Sequence, residues 1–326
     1  MSRLGRNGGT RCFYINLILI KHYEKRLGSG MHEENGNGVS IKPNDTVTVT
    51  IMHHIVEVQH MEKENHKANI RKLDKDRYLH LDTGEIKKFD HIENRQQSYN
   101  SLTQTFKRLR YLINNNFTGK GNELHVTLTY KDNMTDPKRL YKDFDKFIKR
   151  LRYAYRDKSS IDYICVVEPQ ERGAWHCHLL LRFNDLDNVF IPSNDLADMW
   201  EHGFIKIKSL KDVDNIGAYL SAYLADVELT EDNLTDVYKA GDQIKVKESK
   251  GKKYIKGGRL HLYPPGINIY RKSRGIVEPE RRKMQFADIK KVVGSVKPHY
   301  YKKVVFERDD FENTIQYLQY NTKRNK

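Results

Sequence analysis

Two apolar segments separated by seven residues constrain this fold more than any other feature of the chain. Residues 161–168 (IDYICVVE) and 176–183 (HCHLLLRF) are rich in β-branched and large apolar side chains, and each has the length of a strand. The connection PQERGAW is short and contains Pro169 and Gly173, as is typical of a hairpin. The sequence therefore predicts two adjacent antiparallel strands.

Further apolar patterns predict helices and strands on either side of this pair. Helical spacing of apolar side chains occurs over 98–117, 136–155, 193–203 and 212–227. Alternating segments predict a hairpin at 77–89 and strands at 125–130, 204–210 and 299–307. The polar end of the chain, rich in Asn, Gln and Lys, is interpreted as a helical segment. Strands in an antiparallel style mixed with helices predict an α+β fold.

The charge balance points to a polyanionic partner. The chain carries 58 Lys and Arg against 43 Asp and Glu, a net charge of +15, together with 20 Tyr. Counterion release favours the binding of such a surface to phosphates, and aromatic faces stack on unpaired bases. Nucleic acid is the predicted partner, and the alternative is that the basic charge only keeps the protein soluble.

Composition also excludes several classes of protein. The longest apolar run, Cys12 to Ile20, is too short for a membrane-spanning helix. Three cysteines without a CxxC pair exclude a disulfide framework and a cysteine zinc cluster, so we expect a cytoplasmic protein with no membrane partner. No GxxxxGK[ST] phosphate loop is present, which predicts no nucleotide cofactor and no fused helicase.

The triplet His176, Cys177, His178 predicts a metal site. Residues i and i+2 of a strand share a face, so both imidazoles project together and Cys177 points away. The hairpin brings Glu168 beside His176, where its carboxylate completes a set of two histidines and one carboxylate. Such mixed nitrogen and oxygen ligands accept Mn²⁺ or Mg²⁺. Cys165 and Cys177 are predicted to be buried core thiols, and the alternative for the histidines is two ordinary surface residues on an edge strand.

Tyr219 and Tyr223 are the candidate nucleophiles. They lie four residues apart on the predicted helix 212–227. A phenol is a weak attacker but a competent leaving group, so an ester between tyrosine and a DNA phosphate conserves the bond energy and is reversible. The alternative is that the pair is core packing.

These motifs together resemble the HUH endonucleases, specifically the rolling-circle replication initiators of plasmids, integrative elements and single-stranded DNA phages. HVTLTY resembles the first motif strand of that family, VVEPQERGAWHCHLLL its His-hydrophobic-His motif, and AYLSAYLAD its tyrosine motif. The order, with the histidines before the tyrosine, is that of the initiators. The similarity covers about residues 100 to 230 and extends through KGGRLHLYPPGINIYRKSRGI.

The resemblance implies a fold, a reaction and a set of partners. The fold is a central antiparallel sheet of ferredoxin-like or RRM-like type flanked by helices. The reaction is the nicking of one strand of single-stranded or hairpin origin DNA, with the 5′ phosphate kept on a tyrosine and a 3′ hydroxyl left for the host polymerase. A host helicase must then be recruited.

The chain departs from the family in one respect. Many relatives carry a lysine three residues after the nucleophilic tyrosine, but Ala222 and Asp226 occupy those positions here. Tyr219 is therefore preferred as nucleophile, with Tyr223 as a second nucleophile or a packing residue. The missing positive charge is assigned to one of three lysines: Lys206, Lys208 or Lys211.

The basic segments complete the predicted site and its domains. Residues 239–274 contain eleven Lys and Arg and two acids, and either hold the origin DNA or form a solvated loop. The predicted DNA-binding residues are Lys206, Lys208, Lys252, Lys253, Arg259, Arg271, Lys272 and Arg274. The predicted regions are an extension (1–30, disordered or untranslated if Met31 is the start), an adaptor (31–97), the catalytic core (98–230) and a basic accessory region (231–326).

Two other functions remain open on the sequence. A transposase or mobilisation relaxase would use the same residues on a different DNA site. A non-catalytic, sequence-specific DNA-binding protein would keep its affinity without Tyr219, Tyr223 or the histidines. The origin sequence, the physiological metal and the oligomeric state are not specified by the sequence.

Overall fold

The computed structural model describes most of the chain. The described residues are 31–34, 39–64, 69–74, 76–89, 99–170, 172–225, 227–228, 246–249, 252–255, 263–264, 266–308 and 311–325.

The secondary structure within these ranges is mixed. The helices are α1 (Tyr99–Asn116), α2 (Pro137–Ala154), α3 (Ser193–Trp200), α4 (Ile216–Ala225) and the short α5 (Lys290–Val293). The strands are β1 (Met31–Glu34), β2 (Thr46–Met52), β3 (Ile55–Met61), β4 (Ile70–Lys72), β5 (Arg77–His80), β6 (Ile86–Lys88), β7 (Glu123–Leu128), β8 (Ile161–Pro169), β9 (Trp175–Phe183), β10 (Ile205–Ser209), β11 (Val227–Glu228), β12 (Val246–Ser249), β13 (Lys252–Ile255), β14 (Tyr270–Lys272), β15 (Glu280–Gln285), β16 (Tyr300–Arg308) and β17 (Phe311–Asn321).

A five-stranded antiparallel sheet forms the centre of the molecule. Its strand order is β10-β7-β9-β8-β14, so the two segments first recognised in the sequence, β8 and β9, lie inside the sheet. They form the predicted hairpin, in which Glu168 pairs with His176 and Pro169 pairs with Trp175. Gly173 adopts φ +80° in the connecting turn, a conformation that favours glycine. The α+β prediction is confirmed.

Helices cover both faces of this sheet. Tyr219 of α4 contacts His125 of β7 on one face, where Asn114 of α1 accepts a hydrogen bond from the backbone N–H of Gly217. On the opposite face, Phe144 of α2 packs edge-on against Tyr163 of β8. Two large apolar interfaces therefore bury the sheet, which is what the helical spacing of the apolar residues predicts.

The amino-terminal and carboxy-terminal segments meet in a second antiparallel sheet of six strands, ordered β1-β16-β17-β3-β2-β15. A separate apolar cluster lies beneath it and includes Val49, Val58 and Leu318. The predicted helical segment at the end of the chain is wrong, because Phe311–Asn321 is a strand that pairs with both β16 and β3. Pairing on both edges satisfies the backbone of this polar segment and outweighs its helical propensity.

Glu57 of β3 connects the second sheet to helix α1. Its carboxylate lies 2.7 Å from the Arg110 guanidinium and accepts a hydrogen bond of 2.9 Å from the Tyr111 hydroxyl. The Gln319 side chain of β17 donates a further hydrogen bond of 2.8 Å. The ion pair is almost fully buried, so removal of one partner would leave an uncompensated charge. The second sheet is thereby held against the same helix that supports α4.

No helix in the described part of the chain is long and apolar enough to cross a membrane.

Candidate active site

The His-Cys-His strand presents its side chains as the alternation predicts. His178 is buried on one face of β9, whereas Cys177 is fully buried on the other. The Cys177 sulfur lies 2.8 Å from the sulfur of Cys165, and both are free thiols. The prediction that the two cysteines are core residues is confirmed, and the histidine face is left for polar chemistry.

Glu168, at the end of β8, meets the histidine face. Its Oε2 accepts a hydrogen bond from Nε2 of His178, and its carboxyl group is buried. His176 lies opposite Glu168 in the strand register, and its Nδ1 lies 3.1 Å from Nε2 of Gln170. The other ring nitrogen of His176 is buried and makes no hydrogen bond with any described residue. The structure thus brings the three predicted metal ligands to one end of one strand pair.

His125, on the neighbouring strand β7, is a site residue that the sequence analysis missed. Its Nε2 lies 3.2 Å from Nδ1 of His178, and the two rings stack with centroids 5.4 Å apart. Its Nδ1 lies 3.4 Å from the hydroxyl oxygen of Tyr219. The only signal was the position of His125 in HVTLTY, and only the pairing of β7 with β9 shows that it faces the His-Cys-His strand.

Tyr219 enters the site from helix α4. Asn215 caps this helix by accepting from the backbone N–H of Ala218 at 2.9 Å. Gly217 allows α4 to approach α1, because a Cβ there would lie 2.7 Å from the Asn114 side chain. A rigidly seated first turn therefore directs the Tyr219 hydroxyl to the sheet.

Lys208 of β10 supplies a cation to the Tyr219 hydroxyl. Its Nζ donates a hydrogen bond of 3.3 Å to that oxygen. Lys208 is the cross-strand partner of His125, so the two side chains contact the Tyr219 oxygen from adjacent strands. Of the three lysines proposed from the sequence, the contacts among the described residues therefore favour Lys208. The side chain of Tyr223 lies outside the described residues.

The hydrogen bonds form a chain with a direction. An ionised carboxylate only accepts, so His178 donates from Nε2 to Glu168 and accepts at Nδ1 from His125. A neutral His125 that donates from Nε2 has its lone pair on Nδ1, facing the Tyr219 hydroxyl. The hydroxyl proton of Tyr219 therefore faces an acceptor, and the Lys208 ammonium faces the same oxygen.

Burial keeps the imidazoles of this chain neutral. Burial, reinforced by His178 and then Lys208, lowers the pKa of His125 from 6.5 to about 3. Burial, together with the neighbouring His178, lowers the pKa of His176 to about 4. A neutral imidazole retains a lone pair for a metal ion or a proton, so the site is set for both kinds of chemistry at neutral pH.

We expect the free energy of unfolding to fall between pH 6.5 and pH 4.5. The unfolded chain binds a proton at His125 below pH 6.5, whereas the folded chain does not until about pH 3, so stability rises with pH in this window. The contribution of His125 at pH 4.5 is a loss of about 3 kcal/mol. Urea unfolding of the wild type and of His125→Gln at pH 7 and pH 4.5 measures it. An equal pH dependence in both proteins would contradict the expectation.

The ligand chemistry of the site fits a hard divalent ion, although its side chains are hydrogen-bonded to one another. Two imidazoles and one carboxylate are suitable donors, and the buried Nε2 of His176 is available. Among the described residues, no three His, Cys, Asp or Glu side chains form an arrangement that holds a metal ion as they lie. Binding would therefore require the hydrogen bond between Glu168 and His178 to be given up.

The predicted DNA-binding residues fall into three groups. Lys206 and Lys208 lie on β10 beside β7, on the site face. Lys252, Lys253 and Arg259 have side chains outside the described residues. The third group lies on and after β14 and consists of Arg271, Lys272 and Arg274, away from the tyrosine. Arg271 lies over the Tyr141 ring, 3.9 Å from its centroid.

Comparison with known proteins places this site in one matched segment. Residues 123–228 match a family model described as a replication-associated protein of the ORF2 type. The segment runs from β7 to β11 and contains Tyr219, Lys208 and all three histidines of the site. No curated protein and no solved structure matches the chain. The match over residues 123–228 supports a replication-associated protein of the Rep type, for which DNA is the expected partner.

Proposed function

We propose that this protein is a rolling-circle replication initiator of the HUH type, which nicks and rejoins one strand of DNA through a covalent tyrosine intermediate. One observation carries the proposal: the hydroxyl of Tyr219 reaches the face of the His-Cys-His strand, where it meets His125 and Lys208. A tyrosine that only packed in the core would not need a cation and an imidazole at its oxygen.

Tyr219 would act as the nucleophile. Its oxygen forms a bond to phosphorus, the bond between phosphorus and the 3′ oxygen breaks, and the departing oxygen takes up a proton. His125 lies where it can receive the phenolic proton, and the Lys208 ammonium stabilises the negative charge that develops on the phenol oxygen. The reverse attack by a 3′ hydroxyl rejoins the strand, since a phosphotyrosine ester conserves the bond energy.

His176, His178 and Glu168 would hold the divalent ion, Mn²⁺ or Mg²⁺. The ion, when bound, polarises a phosphoryl oxygen and orients the scissile bond. The protein positions these ligands at the end of the β8–β9 hairpin and buries them, which strengthens their electrostatic interactions with a phosphate.

The substrate would be single-stranded or hairpin origin DNA, and host helicase and polymerase would extend the nicked strand. Covalent trapping tests the proposal: the protein is incubated with end-labelled single-stranded oligonucleotides from upstream of its gene, with and without Mn²⁺, and resolved on denaturing gels. A metal-dependent adduct is the expected result. Tight binding without an adduct would instead favour the non-catalytic DNA-binding protein, and an adduct only with transposon ends or a transfer origin would favour a transposase or relaxase.

We expect Lys208→Ala to slow adduct formation about 100-fold, because it removes a donor that stabilises developing charge on the phenol oxygen. Lys211→Ala is the matched control, since Lys211 is an exposed cation on the following turn. Single-turnover nicking rates measure both variants. Equal rates for Lys208→Ala and wild type would show that Lys208 contributes nothing to the reaction.

A further inference from the structure

A basic groove lies at the end of the central sheet opposite to the active site. It has a volume of about 750 Å³ and is formed by the end of α2, the start of β8 and the loop after β14. Asp162 in its floor and Glu168 in the active site are six residues apart on β8, which corresponds to about 20 Å. The groove is thus separate from the nicking chemistry but on the same rigid strand.

The groove walls carry four cations: Arg152, Arg156, Lys272 and Arg274. All four side chains are exposed. Asp162 is the acidic residue of the lining, and its carboxylate is already hydrogen-bonded to Arg182 at 2.8 Å. The positive charge of the walls is therefore not cancelled by the floor.

The loop that carries Lys272 and Arg274 is held in a defined position. The Ser273 hydroxyl donates to Asp162 at 2.7 Å and accepts from the backbone N–H of Tyr163 at 3.0 Å. Gly275 lies so close that a Cβ would be 2.3 Å from the Asp162 carboxylate. Fixed cations lose less conformational entropy on binding than mobile ones, so this loop is preorganised for an anion.

The groove offers phosphate contacts but no open platform for bases. Tyr163 is the aromatic residue of the lining, and its ring already contacts Phe144 and lies 5.5 Å from the Arg152 guanidinium carbon. Binding of unpaired bases relies on free aromatic faces, whereas binding of a duplex relies on cations that follow its phosphates.

We propose that this groove binds the phosphate backbone of double-stranded DNA next to the nick. The inference rests on the proposed function for its substrate and extends it to the paired flank, or the hairpin stem, of the origin. The distance of about 20 Å along β8 corresponds to about six base pairs at 3.4 Å each. The protein would hold paired DNA at one end of the sheet and the strand to be cut at the other.

Binding of a fluorescein-labelled duplex of 20 base pairs tests the groove by anisotropy across a salt series. In Arg156→Ala/Arg274→Ala we expect duplex affinity to fall about tenfold and the slope of log affinity against log salt to fall by about 2. Lys290→Ala/Lys297→Ala removes the same charge from exposed positions near the second sheet and should change affinity less than about twofold. Unchanged melting temperatures confirm that both variants fold.

Three outcomes would overturn the proposal: unchanged duplex affinity in the groove variant, an equal loss in the control variant, or a larger loss for a 20-nucleotide single strand than for the duplex. Duplex binding is measured without cleavage, so a failure of the nicking assay would reject the proposed function and leave this result intact. If nicking occurs, the groove variant should also lose any preference for substrates with a paired flank.

Discussion

Tyr219→Phe is expected to abolish the covalent adduct, with a loss of at least about 1000-fold in adduct formation. The substitution removes the one oxygen that would attack the phosphate and leaves the ring, so the packing of α4 on the sheet is retained. The hydrogen bonds from Lys208 and to His125 are lost, but neither partner becomes a buried charge without compensation, because Lys208 is only half-buried. The measurement is the denaturing gel with labelled single strands and Mn²⁺.

Tyr223→Phe is the matched control for this experiment, since it makes the same chemical change one helical turn later. We expect Tyr223→Phe to form the adduct in the first transfer, whether or not it supports a second one. DNA affinity measured by anisotropy should be similar in both variants. An adduct that persists in Tyr219→Phe and is lost in Tyr223→Phe would reverse the assignment of the nucleophile.

His178→Gln is expected to weaken Mn²⁺ binding at least tenfold and to slow metal-dependent adduct formation about 100-fold or more. His178 is the residue through which Glu168 and His125 are connected, and glutamine can replace its hydrogen bonds more readily than it can replace imidazole as a metal ligand. Calorimetric titration of Mn²⁺ measures the binding directly, without DNA.

His53→Asn provides the control for the loss of an imidazole. His53 is exposed and has φ +53° in the turn between β2 and β3, a conformation that asparagine tolerates. It should bind Mn²⁺ like the wild type. If His178→Gln also binds like the wild type, the pair of Glu168 and His178 is structural and the metal-dependent mechanism fails.

Much of the active site could be predicted from local patterns. The alternation of β9 separates His178 from Cys177, and the short hairpin brings Glu168 to the same end of the sheet. Both consequences depend on the two-residue period of a strand and on a connection too short to allow other pairings. Helical spacing likewise placed Tyr219 on a helix, although it did not show which way the side chain points.

His125 and Lys208 could not be assigned in the same way. Their contact with Tyr219 depends on the register of β7 with β9 and β10, which join segments far apart in the sequence. A one-residue change of register would turn both side chains to the opposite face. Three lysines were equal candidates in the sequence, and only the tertiary structure distinguished Lys208.

The carboxy-terminal strand shows the same dependence on distant residues. Its polar composition favours a helix locally, yet it lies between β16 and β3 in the second sheet. The basic groove also joins segments that are remote in the chain, Arg156 after α2 and Arg274 after β14. Neither feature has a local pattern, because each forms from elements whose order in space is not their order in sequence.

The sequence by itself determined the α+β class, the central hairpin and the identity of the histidine, glutamate and tyrosine candidates, because these depend on periodicity and short-range geometry. The tertiary structure decided which groups touch the Tyr219 hydroxyl, how the two ends of the chain combine and where the basic groove lies. These follow from the register and packing of distant strands, whose free energy depends on burying complementary faces rather than on any local preference.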